Sequence, residues 1–180
     1  DTSITAASTT DVTISASALT NGAGNELSMA GGKDVTVTTA DSMDLDETAA
    51  SNIVVGGATT GASGAVSVTH TETFTDGTGA DTATGSNITV TGGTSISVST
   101  QATAGDVADN AADVFTVGAV TITGDANTTS ASITSRAEVA NGGAAGAIGI
   151  TAGTHTITDK NAASATAAGT ISTVTLATAG

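Results

Sequence analysis

The groups best equipped for chemistry in this chain are its carboxylates, and they come in clusters. Asp41-Ser42-Met43-Asp44-Leu45-Asp46-Glu47 holds four of them in seven positions. On an extended segment Asp44 and Asp46 share a face. Like charges this close repel unless a hard cation, which takes about six to eight oxygen ligands, sits between them. The second cluster, Asp76-Gly77-Thr78-Gly79-Ala80-Asp81, places Gly77, Gly79 and Asp81 at the spacing of the calcium nonapeptide G-G-x-G-x-D-x-U-x. There, glycine backbones turn tightly while carbonyl oxygens and the Asp chelate Ca2+. The match is degenerate, since Asp76 replaces the first Gly and Ala83 stands at the apolar position. Asp106, Asp109, Asn110 and Asp113 form a third acidic segment, which lacks the central Gly and the twelfth-position Glu of an EF-hand. Ca2+ is the expected cofactor of these segments, and well-solvated acidic loops are the alternative. Asp125 and Asn127 read as turn chemistry, because both residue types bond their own backbone.

Catalysis has few candidates. His70 and His155, the two histidines, stand in strand-like alternations, VTHTET and GTHTIT, where an outward-facing polar residue is expected. There is no Cys, and Ser and Thr are too abundant for one nucleophile to stand out. The carboxylate pairs leave a β-helical polysaccharide-active enzyme as a remote alternative, but sugar sites normally use Arg, Lys and aromatics, which are scarce here. The expectation is a protein that is not an enzyme. Sequons at Asn87 and Asn127 permit glycosylation.

Charge narrows the partners. Three basic residues (Lys33, Arg136, Lys160) stand against 17 acidic ones, for a net charge of −14. Binding nucleic acid needs clustered Lys and Arg for phosphates and aromatics for stacking, so nucleic acid is excluded. No apolar run approaches the ~20 residues of a spanning helix, and no membrane insertion is expected. The absence of Cys fits a secreted protein made without a disulfide step. The chain opens at Asp1 without Met and closes in mid-pattern at Thr178-Ala179-Gly180, as expected of a processed product or a segment of a longer chain.

The elements that must position these groups are strands. Alternation of period two recurs at Val12-Thr-Ile14, Val35-Thr-Val37, Val66-Ser-Val68, Ile88-Thr-Val90, Ile96-Ser-Val98, Val120-Thr-Ile122 and Val174-Thr-Leu176. Each segment is expected to bury its Val, Ile or Leu and to expose Thr or Ser. Gly-rich breaks such as Gly31-Gly32 and Gly92-Gly93 supply the positive φ angles of tight turns. Ten or more short strands follow. Asp106–Val114 and the Ala-rich stretch from Asn161 to Ala168 lack an apolar stripe and read as loops.

An imperfect repeat runs through the chain. Ile88-Thr-Val90-Thr-Gly92-Gly93 aligns with Val120-Thr-Ile122-Thr-Gly124-Asp125, with a weaker echo at Thr156-Ile-Thr158-Asp159. Each is followed by a Ser/Thr-rich second strand. Phe74 and Phe115 are the only aromatics, so the interior must be thin and must lean on ladder hydrogen bonds. The fold expected is all-β, one repetitive segment over 1–180 with a possible subdivision near 84/85. Stacking as a β-solenoid is preferred for the meagre apolar volume, and an Ig-like β-sandwich is the alternative, suggested by the irregular spacing.

The phrases ITVTGGTSISVSTQ, VTITGDANTTSASIT and ITDKNAASATAAGTISTVTLATAG resemble segments of bacterial S-layer proteins and related RTX-type calcium-dependent surface proteins of Gram-negative bacteria, over roughly residues 52–180. The resemblance implies an extracellular, β-rich structural protein that assembles with itself at the cell surface as a lattice, sheath or filament, often with Ca2+. An adhesin or stalk spacer is the alternative, and cell-surface polysaccharide is a further possible partner.

Overall fold

The computed structural model describes residues 2–19, 27–44, 51–57, 59–75, 82–104, 113–139, 148–164 and 166–179. Among these residues there are fifteen β-strands and no helix. In chain order they are β1 (Thr2–Ala6), β2 (Val12–Leu19), β3 (Leu27–Gly31), β4 (Val35–Asp44) and β5 (Asn52–Val55). Next come β6 (Ala65–Thr75), β7 (Thr82–Thr84), β8 (Asn87–Thr91), β9 (Ser95–Ala104) and β10 (Asp113–Thr116). The last five are β11 (Val120–Thr123), β12 (Ser130–Val139), β13 (Ile148–Thr151), β14 (His155–Thr158) and β15 (Thr173–Ala179).

Every pairing between these strands is parallel. The first sheet has the order β1-β3-β5-β8-β11-β14, the second β15-β12-β9-β6-β4-β2, and the third β13-β10-β7. Parallel neighbours need a crossover between them. Here the crossover is made of strands of the other sheets: from β6 onward the chain visits the second, third and first sheet in turn. Pairing continues across residue 84, with β5 beside β8 and β6 beside β9. Gly31, Gly32, Gly92 and Gly93 have φ of 77°, 86°, 79° and 114°, so the expected glycine turns stand where first-sheet strands hand over to second-sheet strands.

The repeat seen in the sequence is the pairing register itself. Ile88, Thr89, Val90 and Thr91 lie beside Val120, Thr121, Ile122 and Thr123, and these lie beside His155 to Thr158. Strand β6 alternates exposed and buried along its whole length. Like therefore stands on like across strands. One core row reads Leu27, Ile53, Ile88, Val120, and another Val35, Val66, Ile96, Ala131.

Two apolar clusters result. The larger joins the first sheet to the leading half of the second, with Val37, Val68, Val98 and Ile133 among its buried members. The smaller joins the third sheet to the trailing half of the second through Met43, Phe74, Ala102, Phe115 and Ala137. The two phenyl rings stack with centroids 4.8 Å apart.

The 161–168 stretch is turn and bend in its described residues, as expected of a loop. Of the 106–114 stretch, also read as a loop, the described residues Asp113 and Val114 instead begin β10. A second expectation about the strands also needs correction. Val174 and Leu176, read as inward residues of a buried strand, are 59% and 55% exposed, because β15 is the outermost strand of its sheet among the described residues.

Candidate functional site

Between the two apolar clusters runs a band of buried polar side chains. It follows from parity. On β6 the inward positions are Val66, Val68, His70, Glu72 and Phe74, so the alternation that buries the valines also buries the histidine and the glutamate. Register carries the band across the sheet: Thr39, His70, Thr100 and Ser135 form one row, and Asp41, Glu72, Ala102 and Ala137 the next. His70 and Glu72 are 2% and 3% exposed. The expectation of an outward-facing His70 is thereby overturned. His155 also sits in an inward row, beside Val120, and is half-buried.

A buried polar group must find a partner or carry a desolvation penalty. Glu72 Oε1 accepts hydrogen bonds from the Ser86 N–H at 2.9 Å and the Ser86 hydroxyl at 3.0 Å. Asp41 Oδ1 accepts from the Ser42 N–H at 2.8 Å, and its Oδ2 accepts from the Ser51 hydroxyl at 3.4 Å. Ser51 and Ser86 occupy equivalent places, each just ahead of a first-sheet strand, and both are fully buried. Two successive layers thus use the same device, a carboxylate on the second sheet held by a serine leading into the first. Continuing the register, Gly118 and Gly153 take the serine position where Ala102 and Ala137 take the carboxylate position. The pair changes together, from Asp–Ser and Glu–Ser to Ala–Gly and Ala–Gly.

Burial sets the protonation of this band. Desolvation raises the Glu72 carboxyl to about 7, assisted by the nearby Asp41 charge and opposed by the Ser86 hydrogen bonds. Desolvation lowers His70 to about 4. The Thr39 hydroxyl and His70 Nδ1 share a hydrogen bond of 2.9 Å, and His70 Nε2 is buried with no hydrogen-bond partner. Near neutral pH the band therefore holds a neutral imidazole, beside a carboxyl that keeps its proton well above the usual carboxylate range. Enclosed as they are, these groups act on the stack: a polar row that meets its partners in one register resists a slip by one residue, which would turn it outward.

A second polar ladder lies at the first sheet. Asn87 Nδ2 donates to Asn52 Oδ1 at 3.3 Å, and its Oδ1 accepts the Ala119 N–H at 3.0 Å. The Asn87 sequon is thus tied into the ladder, whereas Asn127 is exposed on its turn. Asp125 Oδ1 accepts the Asn127 N–H at 2.7 Å, the self-bonding turn its residue types imply.

Most of the acidic residues singled out in the sequence cannot be placed against this band. Asp76, Gly77, Gly79, Asp81, Asp46, Glu47, Asp106, Asp109 and Asn110 lie outside the described residues. Asp44 ends β4 in register with Thr75. Asp41 and Asp113 are buried, the latter at the start of β10. Among the described residues no group of three or more His, Asp or Glu side chains is arranged to hold a metal ion. Also among them, no helix is long and apolar enough to cross a membrane. Sequence reasoning missed Glu72, Ser51 and Ser86. Parity with Val66 and Val68 would have found Glu72, while the serines become visible only once the register is known.

Comparison of the chain with protein-family models, with curated proteins and with solved structures found no match.

Proposed function

We propose that this chain is a structural segment, a β-solenoid that associates with itself at a bacterial cell surface as part of a lattice, sheath or filament. The observation that carries the reading is the in-register stacking of like side chains in two six-stranded parallel sheets, with a register shift between Ser17 and Leu19 at the β2–β4 edge. In a solenoid each repeat contacts only its neighbours, and stability accumulates along the stack. The side chains with chemical potential support the same reading, since Asp41 and Glu72 are spent on tying one sheet to the other and His70 on joining neighbouring strands. An acidic, Cys-free composition and the resemblance of residues 52–180 to S-layer and RTX-type proteins support an extracellular location.

Ca2+ belongs to the proposal as the ion held by the acidic segments 44–47, 76–81 and 106–110, since Asp41 and Asp113 are buried in the fold. At −14, closing the stack concentrates negative charge, which a bound cation relieves. A site filled at a hundred times its dissociation constant adds ~2.7 kcal/mol, a large part of a typical stability of ~5–15 kcal/mol.

Sedimentation and electron microscopy of the purified chain test the reading. Filaments, sheets or a concentration-dependent particle size are expected, with loosening on chelation. Dispersed rods of constant size would favour a stalk spacer. A compact particle that stays monomeric at every concentration would remove self-association. An unchanged sheet signal and particle size after chelation would remove Ca2+.

A further inference from the structure

We infer that Asn127 is a site of N-linked glycosylation, with the first sugar seated over the adjoining corner recess, and that Asn87 is not. This rests on the extracellular part of the reading above, since a lipid-linked sugar donor is met during export.

The two N-x-T sequons are Asn87-Ile-Thr89 and Asn127-Thr-Thr129. An acceptor asparagine belongs on a surface loop, and the fold treats the two in opposite ways. Asn87 opens β8 and lies in register with Asn52. Its Nδ2 donates to Asn52 Oδ1 at 3.3 Å, while its Oδ1 accepts the Ala119 N–H at 3.0 Å. A sugar on that Nδ2 would enter the space between neighbouring layers and break the ladder. Asn127 stands instead on the turn between β11 and β12, where it is exposed. Its backbone N–H donates to Asp125 Oδ1 at 2.7 Å. Among the described residues its side-chain amide has no hydrogen-bond partner. Thr129, the third member of the sequon, is exposed as well.

The approach to each sequon also differs. Asp125 stands two places ahead of Asn127, and Gly85 two places ahead of Asn87. A carboxylate there gives a transferase a charge to recognise beside the acceptor amide.

The surface next to Asn127 fits what would be attached. A recess of about 260 Å³ adjoins it, lined by Gly57, Thr59, Ser63, Thr91 and Asp125 among others. It spans the corners that follow β5, β8 and β11, in the middle of the chain. Glycines keep its floor low, for a Cβ on Gly92 would stand only 2.9 Å from the Gly61 Cα. Among the described residues its lining holds three hydroxyl side chains, no aromatic ring and one charge, that of Asp125. Hydroxyls and bare backbone suit a polyhydroxylated ring, which they bind directly or through bridging water.

In the transfer, Asn127 Nδ2 attacks C1 of a saccharide carried on a lipid pyrophosphate. The Nδ2–C1 bond forms, the C1–O bond breaks, and its electron pair leaves with the pyrophosphate. One amide proton passes to a base of the transferase.

The purified, folded chain is incubated with a bacterial oligosaccharyltransferase and a lipid-pyrophosphate-linked oligosaccharide, and its peptides are weighed by mass spectrometry. A glycan is expected on the peptide holding Asn127 and none on the peptide holding Asn87. Thr129→Val should abolish the addition, Thr129→Ser should retain it, and Asp125→Asn should lower it. The Thr129 hydroxyl also donates to the Thr94 carbonyl at 3.1 Å, so circular dichroism checks the fold of Thr129→Val. Asn127→Gln, at an exposed position, supplies a second loss. An unmodified Asn127 overturns the inference, and so does equal modification of Asn87. Nuclear Overhauser contacts from the first sugar to Thr59 and Thr91 are expected, and their absence overturns the seating. A chain that is modified but never assembles keeps this inference while the proposed function falls; a chain that assembles unmodified does the reverse.

Discussion

The two halves of the interior are built to different standards. Where the first sheet faces the leading half of the second, the buried rows repeat Val, Ile, Leu or Met with Ala131 as an exception, and glycines of positive φ stand at the corners after β3, β5 and β8. Where the three-stranded third sheet faces the trailing half, the filling changes with every layer: Met43, then Phe74, then Ala104, with Phe115 and Ala83 opposite. The lesson is that one strand can serve two kinds of core. The leading half gains its stability by repetition, each residue supported by its own kind above and below. The trailing half depends on a few large side chains, above all the stacked Phe74 and Phe115.

The sharpest way to break this comparison is to remove one large residue from each half. Phe74→Ala is expected to cost ~3–5 kcal/mol and Ile122→Ala ~2–5 kcal/mol, both read by denaturant unfolding. The decisive difference lies in where the loss appears. In Phe74→Ala, amide hydrogens of β7 and β10 should exchange well before those of β5, β8 and β11, because the leading half keeps its own contacts. Uniform acceleration of all five strands would show that the halves unfold as one unit.

The polar band between the halves makes pH the next lever. Glu72 keeps its proton up to about pH 7 in the folded chain and loses it near 4.5 when unfolded. Between these values the unfolded state binds fewer protons, so stability from this group is complete below 4.5 and falls as pH rises through 7. The loss is on the order of 3 kcal/mol. His70 works in the other direction: its folded value of about 4 lies below the unfolded 6.5, so its contribution is present above 6.5 and is lost as pH falls through 4. From about 4.5 to 6.5 the two slopes oppose each other and the profile is flat. Glu72→Gln, whose amide oxygen can still accept from Ser86, should unmask the His70 slope, so that stability rises with pH in that window and exceeds the parent's above 7. Urea midpoints across pH 4–8 check this, and an identical profile for parent and variant would refute it. Titration of the His70 ring protons by nuclear magnetic resonance should show no protonation until about pH 4.

These expectations also mark what could be read in the sequence. The period of ITVTGG and VTITGD yielded the strands, the corner glycines and, as the structure establishes, the register between neighbours. The same period was sufficient to bury His70 and Glu72, since VSVTHTETF keeps its parity from Val66 to Phe74. The expectation that His70 faces water follows the average behaviour of a polar side chain and fails where hydroxyls are waiting inside. Ser51 and Ser86 could not be found beforehand, because they lie 10 and 14 residues from their carboxylates across segments of different length. The third sheet was illegible for a plainer reason. TAT, DVFT and IGIT are too short to show a period.

The gentlest test concerns the corner that delivers β12 into the well-repeated half. Thr128 is fully buried there. Its hydroxyl donates to the Gly93 carbonyl at 2.6 Å and accepts the Asp125 N–H at 2.8 Å, joining two successive corners through one oxygen. Thr128→Val preserves the shape and removes both bonds. Two backbone groups lose their partner, yet the corner lies near solvent and the apolar rows on either side are untouched. A loss of ~1–2 kcal/mol is expected, read from the urea midpoint at constant slope. If the leading half owes its strength to repetition, that loss should leave the exchange pattern of β8 and β11 unchanged. Selective opening of those two strands would mean that the corners, and not the rows, hold this half together.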